Sequence, residues 1–124
     1  MTMPMISSSR QAVLLHNGRP LLPCLLLAAR FQHRLLGYMG RSVPPAGHGI
    51  YLRPCAAIHT CFMRFPIDAI FLDRQLCVTR IARRIPPFRI VMGGRAADGV
   101  IEIPSGNKEI NAVAAGDRLA ILPG

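Results

Sequence analysis

Apolar and polar positions along this chain fall into short runs separated by turn-forming residues, a pattern of strands rather than long helices. The apolar run Ala12–Leu15 meets Asn17-Gly18, which favours the positive backbone angles of a two-residue turn, and a second run starts at Leu21. That pattern predicts a hairpin. From Ala28 to Met39 the spacing changes: Phe31, Leu35 and Tyr38 or Met39 recur every three to four residues, with Arg30, Gln32, His33 and Arg34 on the polar side, so a helix is expected that stops at Gly40. Ser42–Gly49, rich in proline and glycine, reads as a loop. Four strands are expected at Gly49–Arg53, Cys55–Met63, Ile67–Asp73 and Leu76–Arg83, divided by Pro54, Pro66 and the Asp73-Arg74-Gln75 corner and ended by Pro86-Pro87. Short strands follow at Phe88–Val91 and at Val100–Ile103, where Glu102 is expected to face away from its neighbours. A short helix over Asn107–Val113 with Ser105 as its cap, a Gly116-Asp117 turn and a closing strand Arg118–Leu122 complete the reading.

This sums to an α+β fold: a compact, mostly antiparallel β domain, able to curl toward a barrel, with one or two short helices. Residues 1–11 are expected to form a flexible leader and 12–124 a single domain, because 124 residues is the length of one ordinary domain. With 51% hydrophobic and 17% charged residues, the chain has enough apolar material for a core, and disordered and collagen-like classes are excluded. There is no internal repeat.

Fifteen basic residues against six acidic give a net charge of +9, and Lys108 is the single lysine. Arginine's planar fork of donors suits phosphate and carboxylate, so nucleic acid, anionic lipid and acidic protein all enter as partner classes, beside the plain alternative of an arginine-favouring genome. The arginines are scattered. Only Arg80, Arg83, Arg84 and Arg89 approach a cluster, and with no tryptophan and only Phe88 nearby to stack a base, nucleic-acid binding is the weaker expectation. Cys24, Cys55, Cys61 and Cys77 lack the close pairs of a zinc ribbon or redox motif and read as buried thiols in a reducing compartment. Leu21–Ala29 is the most apolar stretch, but it is far short of the roughly 20 residues that span a bilayer. No signal peptide, lipid anchor or membrane span is expected, and the location is expected to be cytoplasmic.

The stretch His59-Thr60-Cys61-Phe62-Met63-Arg64-Phe65-Pro66-Ile67-Asp68 resembles a hallmark of the domain of unknown function 192 family, also called uncharacterised protein family 0127. Leu36–Arg41, Gly47-His48-Gly49-Ile50, Ile70–Asp73, Val100–Ile103 with Gly106, and Gly116-Asp117 fit the same family in order, so the resemblance covers about Val13–Leu122. Gly37-Tyr38-Met39 departs from the family's Gly-Leu-Met, and the loop after Pro87 is shortened. The resemblance implies a fold and a surface but no reaction. It also implies an accessory role, since proteins similar to this short form occur beside pilus-assembly and secretion genes.

Within that stretch His59, Cys61 and Met63 alternate, and on an extended strand they would project from one face about 6–7 Å apart. Such soft ligands suit Cu(I), or zinc without the methionine, yet one strand seldom wraps a metal alone, so packing roles are expected and neither metal nor cofactor is assigned. Pro66 forces an extended Phe65, and Asp68 is placed to accept backbone N–H groups in the following turn. The candidate ligand site is Arg41, His59, Arg64 and Asp68: two guanidinium groups and an imidazole able to hold a small anion or an acidic protein segment. His59 and Cys61 are too far apart on an ideal strand to act as base and nucleophile, and no matched carboxylate pair is present, so an enzyme is not favoured. A hydrolase or transferase using His59, Arg64 and Asp68 is the alternative, and a weak nucleic-acid contact through Arg80, Arg83, Arg84 and Arg89 a further one.

Overall fold

A computed structural model describes residues 10–28 and 42–123. The first hairpin forms as expected: β1 (Arg10–His16) and β2 (Arg19–Ala28) pair antiparallel, with Asn17 (φ 54°) and Gly18 (φ 76°) both left-handed in the turn. Two consecutive positive φ values match the twist of the strands they join, and Asn-Gly adopts them at little cost. Arg10 and Gln11 are already in register with Leu27 and Leu26, inside the stretch expected as a leader.

Strand β3 (His48–Leu52) lies parallel to β2, from Cys24 opposite His48 to Ala28 opposite Leu52. Next in chain order come β4 (Ala57–His59), β5 (Ile67–Leu72), β6 (Val78–Ile85), β7 (Ile90–Met92), β8 (Gly99–Pro104) and β9 (Leu119–Pro123). Seven of them form one sheet in the order β6-β5-β8-β3-β2-β1-β9, antiparallel except for the β2–β3 pair, while β4 and β7 pair separately. The sheet curls into a half-barrel. Its two edges meet at one end, where Cys77 and Arg118 form a bridge and Leu119 N–H donates to Leu76 O at 2.9 Å and Val78 N–H to Asp117 O at 2.7 Å.

Both faces of the central strands are covered. One core cluster holds Leu14, Leu25, Tyr51, Ile70, Ile101 and Ile110, and the other, on the opposite face, holds Ile50, Phe71 and Val100 under Ile58 of β4 and Val91 of β7. All six residues of β5 are buried, and so are Gly99–Ile103 of β8. Glu102 faces away from its neighbours Ile101 and Ile103, as expected, and on the Val100 side of β8 it is only 2% exposed, so that face too is closed to water.

The described residues are mostly β, so the α+β label holds only loosely. Their sole helix is a 3-10 turn at Lys108–Ala112, and its cap is Asn107 rather than Ser105: Asn107 Oδ1 accepts Glu109 N–H at 2.8 Å. The helix expected over Ala28–Met39 lies outside the described residues apart from Ala28, which ends β2. The long strand expected over Cys55–Met63 contracts to Ala57–His59, since the chain turns at Cys61-Phe62 with Phe62 at φ 63°.

Candidate functional site

Thr60 organises the surface where the candidate residues fall. It follows β4, is fully buried, and couples two loops far apart in sequence. Its hydroxyl donates to Pro86 O at 2.6 Å and accepts Arg89 N–H at 2.9 Å. Its backbone N–H donates to Arg89 O at 2.8 Å, and its carbonyl accepts Phe88 N–H at 3.1 Å and Met63 N–H at 3.2 Å. Loop 60–66 and loop 86–89 are thereby fixed as one unit.

On that unit, burial alternates with purpose. Met63 and Phe65 enter the core at 6% and 7% exposure, while His59, Phe62 and Arg64 point outward. The alternating set of His59, Cys61 and Met63 is therefore broken by the turn: Met63 packs inside, His59 is exposed and Cys61 is half-buried. The other three cysteines are half-buried too, not buried as expected. None of the four is in a disulfide, and the Cys55 thiol donates to Ala57 O at 3.0 Å.

Asp68 is turned away from solvent. At 4% exposure, its Oδ1 accepts Arg84 N–H at 2.7 Å and the Ser105 hydroxyl at 3.0 Å. The expectation that it serves the turn just after it is corrected: its donors come from β6 and from the loop after β8, brought in by strand pairing. His59 and Arg64 share the exposed turn, and no described residue forms a hydrogen bond or ion pair with either side chain. Arg41 lies outside the described residues.

The feature that sequence reasoning missed is Phe62 against Phe88. Their rings pack edge to face with centroids 6.0 Å apart, both residues have φ of 63°, and they are 68% and 64% exposed. A bulky residue in the left-handed region is a genuine outlier. Ile90 and Met92, on the same side of β7 two residues apart, are also exposed, with Ile90 directly opposite His59 in the β4–β7 pair. No composition or spacing signal announces this pair, because it depends on two separate turns. A cavity of about 880 Å³ between loop 43–48 and residues 103–109, and another of about 610 Å³ near Tyr51, are lined by none of His59, Arg64 and Asp68.

Of the four arginines considered for nucleic acid, three use their guanidinium groups within the fold. Arg80 donates to Met92 O at 2.5 Å, and Arg83 donates to Asn111 Oδ1 and, at 2.9 Å, to Ile110 O. Arg84 gives its backbone N–H to Asp68, and the Arg89 guanidinium reaches Phe88 O at 3.4 Å.

The family model DUF192, described as an uncharacterized ACR, matches residues 14–121. The chain belongs to this family. A UPF0127 protein of Pyrococcus abyssi is 35% identical to the DUF192 chain over 99 residues, covering 75% of this chain and 81% of the relative. Two crystal structures share the DUF192 fold. A Sinorhizobium meliloti protein named as a candidate transcription regulator is 21% identical with a TM-score of 0.77, covering 92% of this chain and 94% of its own. A Novosphingobium aromaticivorans protein of unknown function is 16% identical with a TM-score of 0.76, covering 97% and 98%. At these identities the structural likeness speaks for the fold alone.

Proposed function

We propose that this protein is a non-enzymatic accessory or binding domain that docks an acidic segment of a partner protein on the surface formed by His59, Phe62, Arg64, Phe88 and Ile90. The observation that carries the reading is the Phe62–Phe88 pair, two strained and exposed aromatic rings held together by a buried threonine. Left-handed backbone costs a non-glycine residue roughly 1–2 kcal/mol, and exposed rings gain little from burial, so folding alone does not account for them. Aromatic anchors flanked by arginine are the usual make-up of an interface centre. Arg64 is exposed on the loop that carries Phe62, the Arg89 guanidinium reaches Phe88 O at 3.4 Å, and the chain carries +9, which favours an acidic occupant. The family resemblance adds a pilus-assembly or secretion component as the source of such a segment.

The test is fluorescence anisotropy with labelled peptides of matched aromatic content and either acidic or neutral flanks. Acidic peptides should bind more tightly, with an affinity that falls as salt rises. Phe62→Gly and Phe88→Gly relieve the backbone while removing the rings, so they should keep the fold and lose at least about tenfold in affinity. Unchanged affinity in both glycine variants, or equal binding of neutral peptides, would overturn the reading.

A further inference from the structure

A second site is built around Tyr51, on the inner face of the sheet. Its ring lies over Gly99: a Cβ there would come within 2.6 Å of Tyr51 Cε1, so only glycine leaves room for the ring in this position. The residue is 8% exposed, and its ring lines a cleft of about 610 Å³. The volume is that of a small-molecule site, for which roughly 300–1,000 Å³ is usual. Leu27, Ala28 and Ile121 supply an apolar floor from β2 and β9, and Arg53, Arg74 and Asp98 supply the polar rim.

The rim is not neutral. Arg53 Nε lies 2.5 Å from Asp98 Oδ2 and Arg74 Nε lies 3.7 Å from Asp98 Oδ1, one arginine to each carboxylate oxygen. Two cations on one carboxylate leave a surplus positive charge. The Arg53 and Arg74 side chains are 54% and 79% exposed, so the terminal N–H groups of their guanidiniums remain open to a ligand. The Tyr51 hydroxyl has no hydrogen-bond partner among the described residues, which is uncommon for a phenol this deeply placed. Burial raises the Tyr51 pKa, with Arg53 opposing and Asp98 adding to the rise, so at neutral pH the phenol carries its proton and can donate it in a hydrogen bond.

We propose that this cleft binds a small amphipathic monocarboxylate, its carboxylate held by Arg53, Arg74 and the Tyr51 hydroxyl and its apolar body lying on Leu27, Ala28 and Ile121. One surplus charge matches a monoanion. A phosphate monoester would bring a second negative charge beside Asp98, and a cation would meet the arginines. None of the lining residues belongs to the Phe62–Phe88 surface, so the two proposals stand or fall separately.

The probe is octanoate, followed by backbone amide NMR shifts of Arg53, Asp98 and Gly99, with octanol and acetate as controls. Octanoate should give saturable shifts, at least about tenfold tighter than either control, because each control lacks one half of the recognition. Arg74→Gln alters an exposed side chain and should bring octanoate down to the level of octanol. Tyr51→Phe keeps the ring and removes only the hydroxyl, and should weaken octanoate about threefold to tenfold while melting within a few degrees of the parent. Octanoate that binds no better than octanol, binding unaffected by Arg74→Gln, or no shift at millimolar octanoate would each overturn the assignment.

Discussion

Replacing Thr60 separates the hydroxyl's two jobs from the space it fills. Thr60→Val keeps the shape and deletes the oxygen, leaving Pro86 O without its 2.6 Å donor and Arg89 N–H without its 2.9 Å acceptor. A buried group left unsatisfied costs about 1–3 kcal/mol, and because Pro86 and Arg89 sit in exposed residues we take the lower end for each, about 2 kcal/mol together. Thr60→Ser keeps the oxygen and deletes one methyl group from a fully buried position, worth about 1 kcal/mol. Urea unfolding should therefore rank the parent above Thr60→Ser and Thr60→Ser above Thr60→Val, with m unchanged. In Thr60→Val the Arg89 amide should exchange with solvent faster, and the acidic-peptide affinity should fall although residue 60 is inaccessible to any ligand. If valine is tolerated as well as serine, or if Arg89 keeps its protection, the two loops are not held by this hydroxyl and the reasoning fails.

Two further outcomes follow from the carboxylates. Asp68→Ala should lower stability by about 3 kcal/mol, since it removes the acceptor of two bonds that join β5 to β6 and to Ser105; Asp68→Asn, which keeps an acceptor oxygen, should cost about half as much, and denaturation curves that do not distinguish the three proteins would refute the bracing role. Asp117 Oδ2 accepts Ala114 N–H and meets His16 Nε2, both at 2.9 Å, and these bonds hold its carboxyl below the usual value. A lowered folded-state pKa contributes stability that is present above about pH 4 and is lost as pH falls through the folded value, so Asp117→Asn should show a shallower loss of Tm between pH 6 and pH 3 than the parent. Parallel acid limbs would remove Asp117 from that account.

Local pattern and turn chemistry determined much of this protein. Asn17-Gly18 is a hairpin turn on its own terms, because the backbone angles it needs are a property of those two residues. The strands at 67–72, 78–85, 99–104 and 119–123 are readable from short apolar runs bounded by Pro, Gly and Asp. The hallmark stretch from His59 to Asp68 was enough to point to the family that the model over residues 14–121 establishes. Only tertiary structure decided the rest. That Glu102 is 2% exposed is not legible in its own strand, because what closes the face it points to is decided by how distant parts of the chain pack. Asp68 finds its donors at Arg84 and Ser105, 16 and 37 residues away, through strand pairing. The Phe62–Phe88 pair and the Tyr51 cleft exist because a curled sheet brings separate turns and strand ends together. Periodicity reports the geometry of neighbours along the chain, whereas a site is made by residues that meet only after the chain has closed on itself.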